Sequence, residues 1–254
     1  MTQDRPRPVI ELRRDAAAYE PPSWLALLAM ADEAVAATAG DIELPPDPYG
    51  MPLEVAQAAV ARTRQLLSGI VALLRAGLPD VCGVLIRPLY ECWLVGLYGL
   101  LGGPDALERL VAQQDRHLKP ILAELGDPTG DPGQPIPVEQ LAQAVATLLE
   151  SSGTPNAQFS VGAYKTLYRM GSYRSTHGGL GSIEGHIDRR PTGTVILPQR
   201  PDDDWSMRHS VFVAVAIFIS GAQVVAIEAG RDHERLDRLA SEIYKYDPAN
   251  RRTS

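Results

Sequence analysis

The stretch Val81–Leu101, VCGVLIRPLYECWLVGLYGLL, constrains the fold most strongly, because it is almost entirely apolar and yet contains Arg87 and Glu91. These two charges are four residues apart, so a helix places them on one face, one turn from each other. A charge in apolar surroundings is costly unless it is paired and hydrogen-bonded. The stretch therefore predicts a helix packed within the protein and an Arg87–Glu91 ion pair on it.

Apolar residues recur with a helical period along most of the chain, and prolines and glycines mark where each segment begins or ends. Ser23 is a candidate N-cap, Gly77 a helix end, and Gly102–Gly103 a break between two helices. Only Thr194–Leu197 reads as a short strand, and residues 178–204 predict one long irregular loop. The fold class is therefore all-α, a helical bundle of about eight helices whose short connections favour antiparallel neighbours.

The 254 residues fit one domain with a sizeable core. We expect a loosely ordered N-terminal arm over 1–20, a single all-α domain over 21–246 and a C-terminal tail over 247–254. The N-terminus lacks the apolar run of a signal peptide, and Cys82 and Cys92 do not form a disulfide spacing on one helix. Val211–Ile227 is slightly short for a membrane span. We therefore predict a cytoplasmic protein without a membrane segment, with Val211–Ile227 buried at the bundle centre.

Charge and missing motifs narrow the function. The formal net charge of −7 argues against a broad nucleic-acid footprint, although a small RNA-binding cleft is compatible with it. The chain has no phosphate-binding glycine loop, no Gly-x-Ser-x-Gly elbow and no dinucleotide fingerprint. These absences disfavour ATP hydrolysis and nicotinamide chemistry, and no cofactor is expected.

A second polar constellation begins at Tyr164 and ends at His177. Residues four apart lie on one side of a helix. The segment therefore predicts two adjacent ridges, one of Tyr164, Tyr168 and Ser172 and one of Arg169, Tyr173 and His177. The glycines at 178 and 179 end the helix just after His177, where the helix dipole favours the protonated imidazole. The loop 178–204 begins beside this histidine, which suggests a lid over it. The alternative is a set of hydrogen bonds between helices.

The spacing of these residues resembles a known family. An Arg-x-x-x-Glu on an apolar helix, a distant Tyr-x-x-x-Ser and a following His are similar to the uncharacterised bacterial helical proteins of the DUF5677 group. The matching positions, within roughly residues 80–180, are Arg87, Glu91, Tyr168, Ser172 and His177. The Ser-to-His spacing is five here, where four is expected. The resemblance implies a bacterial helical protein with an internal polar site, and no settled activity.

A more distant resemblance is to the HEPN-type helical domains. Those that cut RNA carry an arginine, four to six further residues and then a histidine on one helix. Here seven residues separate Arg169 from His177, and two separate Arg174 from His177. The chain departs from that motif at both arginines. The chemical roles would nevertheless be sensible, with His177 as general acid and base and an arginine stabilising phosphorane charge.

These residues predict a site for a phosphodiester, including RNA. In the enzyme version His177 is the acid/base, Arg87 or Arg169 binds an anionic group, and Glu91 orients the arginine. Tyr168 and Ser172 complete the site, and further ligand contacts are expected from Tyr173 and Arg174. The competing interpretation is a non-catalytic protein in which the same residues hold the bundle together or bind a small anionic ligand.

A metal-dependent enzyme is the third interpretation. Glu184, His186 and Asp188 offer three ligand types within five residues, and Glu91, His177 and His209 are further candidates. The Glu-x-x-His pairs of helical di-iron sites are absent from the sequence. A polar loop is the preferred interpretation of residues 184–188, and no metal is expected. A homodimer formed through an exposed helical face is the expected assembly.

Overall fold

The computed structural model describes residues 20–40, 50–124, 136–152, 159–165, 167, 187–196 and 204–246. Within these ranges the protein is mostly helical, which confirms the predicted all-α character. A 3₁₀ turn, Pro79–Val81, and one small antiparallel sheet complete the described residues. The helices are α1 (Trp24–Ala37), α2 (Gly50–Arg75), α3 (Cys82–Glu124), α4 (Val138–Ser151), α5 (Phe159–Ala163), α6 (Asp204–Glu228) and α7 (Glu234–Tyr244).

Helices α2 and α3 form an antiparallel hairpin with a tight connection at Gly77. This glycine has φ +71°, and the N–H groups of Gly77 and Leu78 donate to the carbonyls of Leu74 and Leu73 at 3.0 and 2.9 Å. The pair of bonds is a Schellman motif, which needs a residue in the left-handed region just past the helix. The predicted helix end at Gly77 is thereby confirmed.

Small residues allow the two helices of the hairpin to approach closely. A Cβ placed on Gly96 would lie 2.6 Å from the Cβ of Ala59, and one placed on Gly69 would lie 2.8 Å from Cδ1 of Leu85. No real side chain tolerates contacts that short without movement of its neighbour. The register of α3 on α2 is therefore fixed by glycine at these crossing points.

The break in α3 lies at Gly103, which has φ 66° and ψ −157° while the rest of the helix keeps helical dihedrals. The sequence predicted a stop at Gly102–Gly103, and this is correct. Pro88 forfeits its own hydrogen bond and the helix continues through it.

Helix α6 crosses the centre of the protein. All nine residues from Val211 to Ile219 are buried, and the helix packs against α1, α2, α3 and α7. A helix that is apolar on every side needs neighbours on every side. The predicted central buried helix is confirmed for Val211–Ile219, whereas Ile227, at the end of the predicted stretch, is 50% exposed.

Helices α1 and α7 close one side of the protein. Ser23 caps α1 as predicted, and its hydroxyl oxygen accepts a bond from the Ala26 N–H at 3.3 Å. Arg235 of α7 binds the carboxylate of Glu33 on α1 through two nitrogens, with Nη2 2.9 Å from Oε2. This guanidinium holds the pKa of Glu33 below its usual value.

The segment 178–204 is not irregular throughout, contrary to the prediction. Strands β1 (Ile187–Arg190) and β2 (Gly193–Ile196) pair antiparallel, with Asp188 opposite Val195 and Arg190 opposite Gly193. The strand-like run at 194–197 was recognised from its β-branched residues, whereas β1, with the sequence IDRR, carries too many charges to read as a strand. A turn at 191–192 joins the strands, residues 178–186 and 197–203 lie outside the described residues, and Asp204 begins α6.

Candidate functional site

The Arg87–Glu91 ion pair exists, and it lies at the protein surface. Nε of Arg87 is 3.1 Å from Oε1 of Glu91, and the two side chains are 25% and 38% exposed. Both residues are therefore half-buried, because α3 buries only part of its circumference.

The outer side of α3 is apolar around this pair. Val84 of α3 is 47% exposed, and Leu78 and Val81, which precede the helix, are 42% and 44% exposed. On the opposite side of the same helix Ile86, Leu89 and Leu94 are at most 2% exposed. The charged pair therefore belongs to the solvent side of a two-sided helix, where a ligand can reach it.

Tyr90 connects this pair to the second polar constellation. It lies between Arg87 and Glu91 in sequence, is fully buried, and stacks on Trp93 with ring centroids 6.0 Å apart. Burial raises the pKa of its phenol strongly, and the nearby phenol of Tyr164 raises that pKa further. Tyr164 is the first residue of the predicted polar segment. Tyr164 is half-buried and packs against the core cluster to which Tyr90 belongs.

The remaining predicted site residues lie outside the described residues. A short π-helical turn that includes Tyr164, Lys165 and Leu167 follows α5. The predicted helix over 157–176 is therefore described only at its beginning. The candidates beyond it, whose placement relative to Arg87 is not described, are Tyr168, Arg169, Ser172, Tyr173, Arg174 and His177.

Two neighbours of the ion pair were missed by the sequence interpretation. Arg62 of α2 acts on the thiol of Cys92, which is next to Glu91. Arg62 therefore adds a positive group that acts on Cys92, and Tyr90 adds a buried phenol to the turn that carries the ion pair. Arg62 depends on the register between two helices, which the sequence does not display.

Neither cysteine has the environment of a nucleophile. Both are free, with Cys82 buried and Cys92 half-buried, so the second departs from the predicted full burial. Burial raises the pKa of the Cys82 thiol to about 12. Burial also raises the pKa of Cys92, although Arg62 opposes that shift and Glu91 adds to it. Thiolate chemistry needs a lowered pKa, so the two thiols act as packing groups.

The residues proposed for a metal site are only partly described. Asp188 is in β1, and His209 is on α6, where its ring stacks on Trp205 at 5.2 Å. Burial lowers the pKa of His209. Glu184, His186 and His177 lie outside the described ranges. Within those ranges, no group of three or more His, Cys, Asp or Glu side chains could hold a metal ion.

Two described helices, Pro79–Gln113 and Met207–Glu228, are long and apolar enough to cross a membrane. Their most apolar windows are 50% and 72% buried within the protein. This is weak evidence for insertion, since central helices of globular proteins meet the same criteria. The predicted absence of a membrane segment stays a prediction, as do the cytoplasmic location and the homodimer.

Comparisons with known proteins add no assignment. No protein-family model matches the chain, and neither curated proteins nor solved structures give a significant match. A function for this chain is therefore inferred from the residues described above.

Proposed function

We propose that this chain is a helical protein that binds a small anionic ligand bearing a phosphodiester or phosphate group. The site lies between the Arg87–Glu91 turn of α3 and the polar segment that starts at Tyr164. The observation that carries the proposal is the packing of Tyr164 against the core cluster that contains Tyr90, a residue on the turn of α3 that carries the charged pair.

Arg87 is the primary anion-binding group in this proposal. Its guanidinium is a planar fork suited to phosphate oxygens, and Glu91 orients it through Nε at 3.1 Å. Partial exposure favours a binding role, because the group is reachable and is already held in one orientation. Arg62 on α2 supplies additional positive potential on this side of α3.

The charge of the chain favours a small ligand over a long nucleic acid. With a net charge of −7, most of the surface repels a polyanion. A site built on one or two arginines contacts few phosphates, and the salt dependence of binding then stays shallow. The proposed ligand class is therefore a mononucleotide, a short oligonucleotide or a phosphorylated metabolite.

Binding of a fluorescein-labelled hexauridylate, with inorganic phosphate as competitor, tests this function. Loss of a hydrogen bond to a charged group costs about 1.5–3 kcal/mol, so Arg87→Gln should weaken binding by roughly 10- to 100-fold. The matched control is Arg75→Gln, since Arg75 also forms an ion pair, with Asp32, and is 61% exposed. Equal affinities for the two variants would refute the assignment of Arg87.

A second candidate function is hydrolysis of the bound phosphodiester with His177 as general acid and base. The sequence favours it, because the segment that begins at Tyr164 continues to His177, whose imidazole can act as general acid and base. His177→Ala should then abolish cleavage of the oligonucleotide while binding and the free energy of unfolding stay unchanged. If the variant loses more than about 2 kcal/mol of stability and there is no cleavage to lose, His177 is structural.

A further inference from the structure

A glutamine, an aspartate and a histidine form a hydrogen-bonded chain at the start of α7, outside the Arg87–Glu91 turn. Nε2 of Gln223 on α6 donates to Oδ1 of Asp237 on α7 at 2.5 Å. The other carboxylate oxygen of Asp237, Oδ2, lies 2.8 Å from Nδ1 of His233. Both oxygens of the carboxylate are therefore held, and the carboxylate in turn fixes the orientation of the imidazole.

The tight connection between α6 and α7 makes this chain possible. Gly230 has φ +61°, and the N–H groups of Gly230 and Arg231 donate to the carbonyls of Ile227 and Ala226, both at 2.9 Å. These bonds form a Schellman motif, which reverses the chain at the end of α6. Leu236, 5% exposed, then packs in one small apolar cluster with Ala226. The start of α7, which carries the histidine and the aspartate, is thereby fixed on α6.

The contact with Asp237 decides which nitrogen of His233 is reactive. A carboxylate oxygen only accepts hydrogen bonds, so Nδ1 carries the proton. In the neutral imidazole the lone pair then belongs to Nε2. A carboxylate on the Nδ1–H also makes the opposite nitrogen more basic, as it does for histidines that bind metals. The side chain of His233 is 37% exposed, so a small reagent can reach the ring.

We propose that Nε2 of His233 is a phosphorylation site, which accepts a phosphoryl group from a small donor with a P–N or acyl-phosphate bond. The Nε2 lone pair forms the new N–P bond while the donor's own bond to phosphorus breaks. The leaving group takes the bonding electron pair and departs as ammonia or as a carboxylate, and the Nδ1 proton stays in the bond to Asp237. His233 immediately precedes α7, where the positive end of the helix dipole favours the charge of the phosphoryl group.

Reaction of the full chain with phosphoramidate at neutral pH tests the site. Mass spectrometry of peptides follows each of the five histidines, and ³¹P nuclear magnetic resonance identifies the ring nitrogen. The same chain in urea is the reference, because unfolding separates the imidazole from Asp237. We expect phosphorylation of His233 at Nε2 to be at least about 10-fold faster in the folded protein than in urea.

Asp237→Asn is the most informative variant. Since Gln223 donates to Oδ1, the new amide nitrogen would face Nδ1 of His233 and donate to it, which moves the ring proton to Nε2. Phosphorylation of His233 should then slow by about 10- to 100-fold. The matched control is Asp232→Asn, which removes the same charge beside His233 at a carboxylate that accepts from the Glu234 N–H at 3.0 Å. It should not slow the reaction.

If Asp237→Asn fails to fold, the comparison of folded and unfolded wild type still decides the question. Equal rates for His233 in the folded protein and in urea would overturn the proposal. Equal rates for Asp237→Asn and wild type would also overturn it, and would show that the pair only stabilises the start of α7. Failure of anion binding at Arg87 would leave these outcomes unchanged, because the phosphorylation depends on residues of α6 and α7.

Discussion

Helices α3 and α6 have similarly apolar sequences, but the rest of the protein covers α6 more completely than α3. The most apolar window of α6 is 72% buried, and that of α3 is 50% buried. Helix α6 contacts four other helices, whereas α3 turns one side to the core and exposes valines and an ion pair on the other. Hydropathy along a sequence therefore reports how apolar a helix is, and not how many of its sides are covered.

The comparison also indicates which of the two helices can present side chains to a ligand. A helix enclosed on every side has no surface on which to bind a ligand, so α6 serves as the structural centre. A helix with one covered side is anchored by that side and can present groups on the other. Arg87 and Glu91, at 25% and 38% exposed, are on the side of α3 that can present groups in this way.

Truncation of one side chain on each helix should give the largest difference. Phe218 on α6 is 1% exposed, so Phe218→Ala should lower the free energy of unfolding by about 3–5 kcal/mol. Val84 on α3 is 47% exposed, and Val84→Ala should stay within about 0.5 kcal/mol. Urea denaturation measures both. Similar losses for the two variants would show that the outer side of α3 is covered.

Filling a glycine contact between the two helices should have a smaller effect. Gly221→Ala forces a Cβ to 2.5 Å from Trp93, and overpacking of this kind costs about 1–3 kcal/mol. Higher helix propensity returns up to about 1 kcal/mol. The control is Gly162→Ala, where a Cβ meets nothing within 4 Å. In thermal melts, the melting temperature of Gly221→Ala should be below that of wild type. The melting temperature of Gly162→Ala should equal or exceed that of wild type.

The reactivity of the two cysteines should also differ, because Cys82 is buried and Cys92 is half-buried on the same helix. With a pKa of about 12, only about 10⁻⁴ of the buried Cys82 is thiolate at pH 8. Cys92 is half-buried and should react slowly with Ellman's reagent in the native protein. We expect one thiol equivalent in native conditions, lost in Cys92→Ser, and two in urea. Prompt reaction of Cys82 in the native state would contradict the described burial.

The smallest expected effect is a pH dependence from His209 on α6. Burial lowers its folded-state pKa below the ordinary 6.5. The unfolded chain then binds the proton more readily, so stability falls as pH drops from about 6.5 toward the folded pKa. His209→Gln should flatten urea midpoints between pH 7.5 and 5.5. Equal slopes for both proteins would show that His209 does not titrate as described.

Glu33 does not obscure that measurement. Its pKa is lowered from 4.5 by Arg235, so the stability it provides is present above 4.5 and lost only at lower pH. The other histidines are common to wild type and variant, and their contributions cancel in the difference. The window between pH 7.5 and 5.5 therefore isolates His209.

Local chemistry made part of the fold predictable. The cap at Ser23, the helix end at Gly77 and the break at Gly103 follow from residues whose conformational preferences act within a few positions. Strand β1 was missed because its pairing with β2 outweighs the poor strand propensity of Asp188 and its neighbours. The sequence of a single segment does not reveal such pairing, because it depends on residues from another segment.

The candidate site was predictable to a similar degree. The Arg87–Glu91 pair was found because i,i+4 spacing is a local property of a helix. Its exposure was missed, because exposure depends on which sides of α3 other helices cover. Arg62 was missed for the same reason, since its place near Cys92 is set by glycine contacts between two helices.

The central claim is that Arg87 and the segment ending at His177 form one anion-binding site. The most direct test is titration of ¹³C,¹⁵N-labelled protein with inorganic phosphate, with the side-chain signals of Arg87 and His177 followed together. Both signals should shift with the same dissociation constant, and Arg87→Gln should remove the shift at His177. A phosphate-dependent shift at only one of them, or two unrelated dissociation constants, would contradict it.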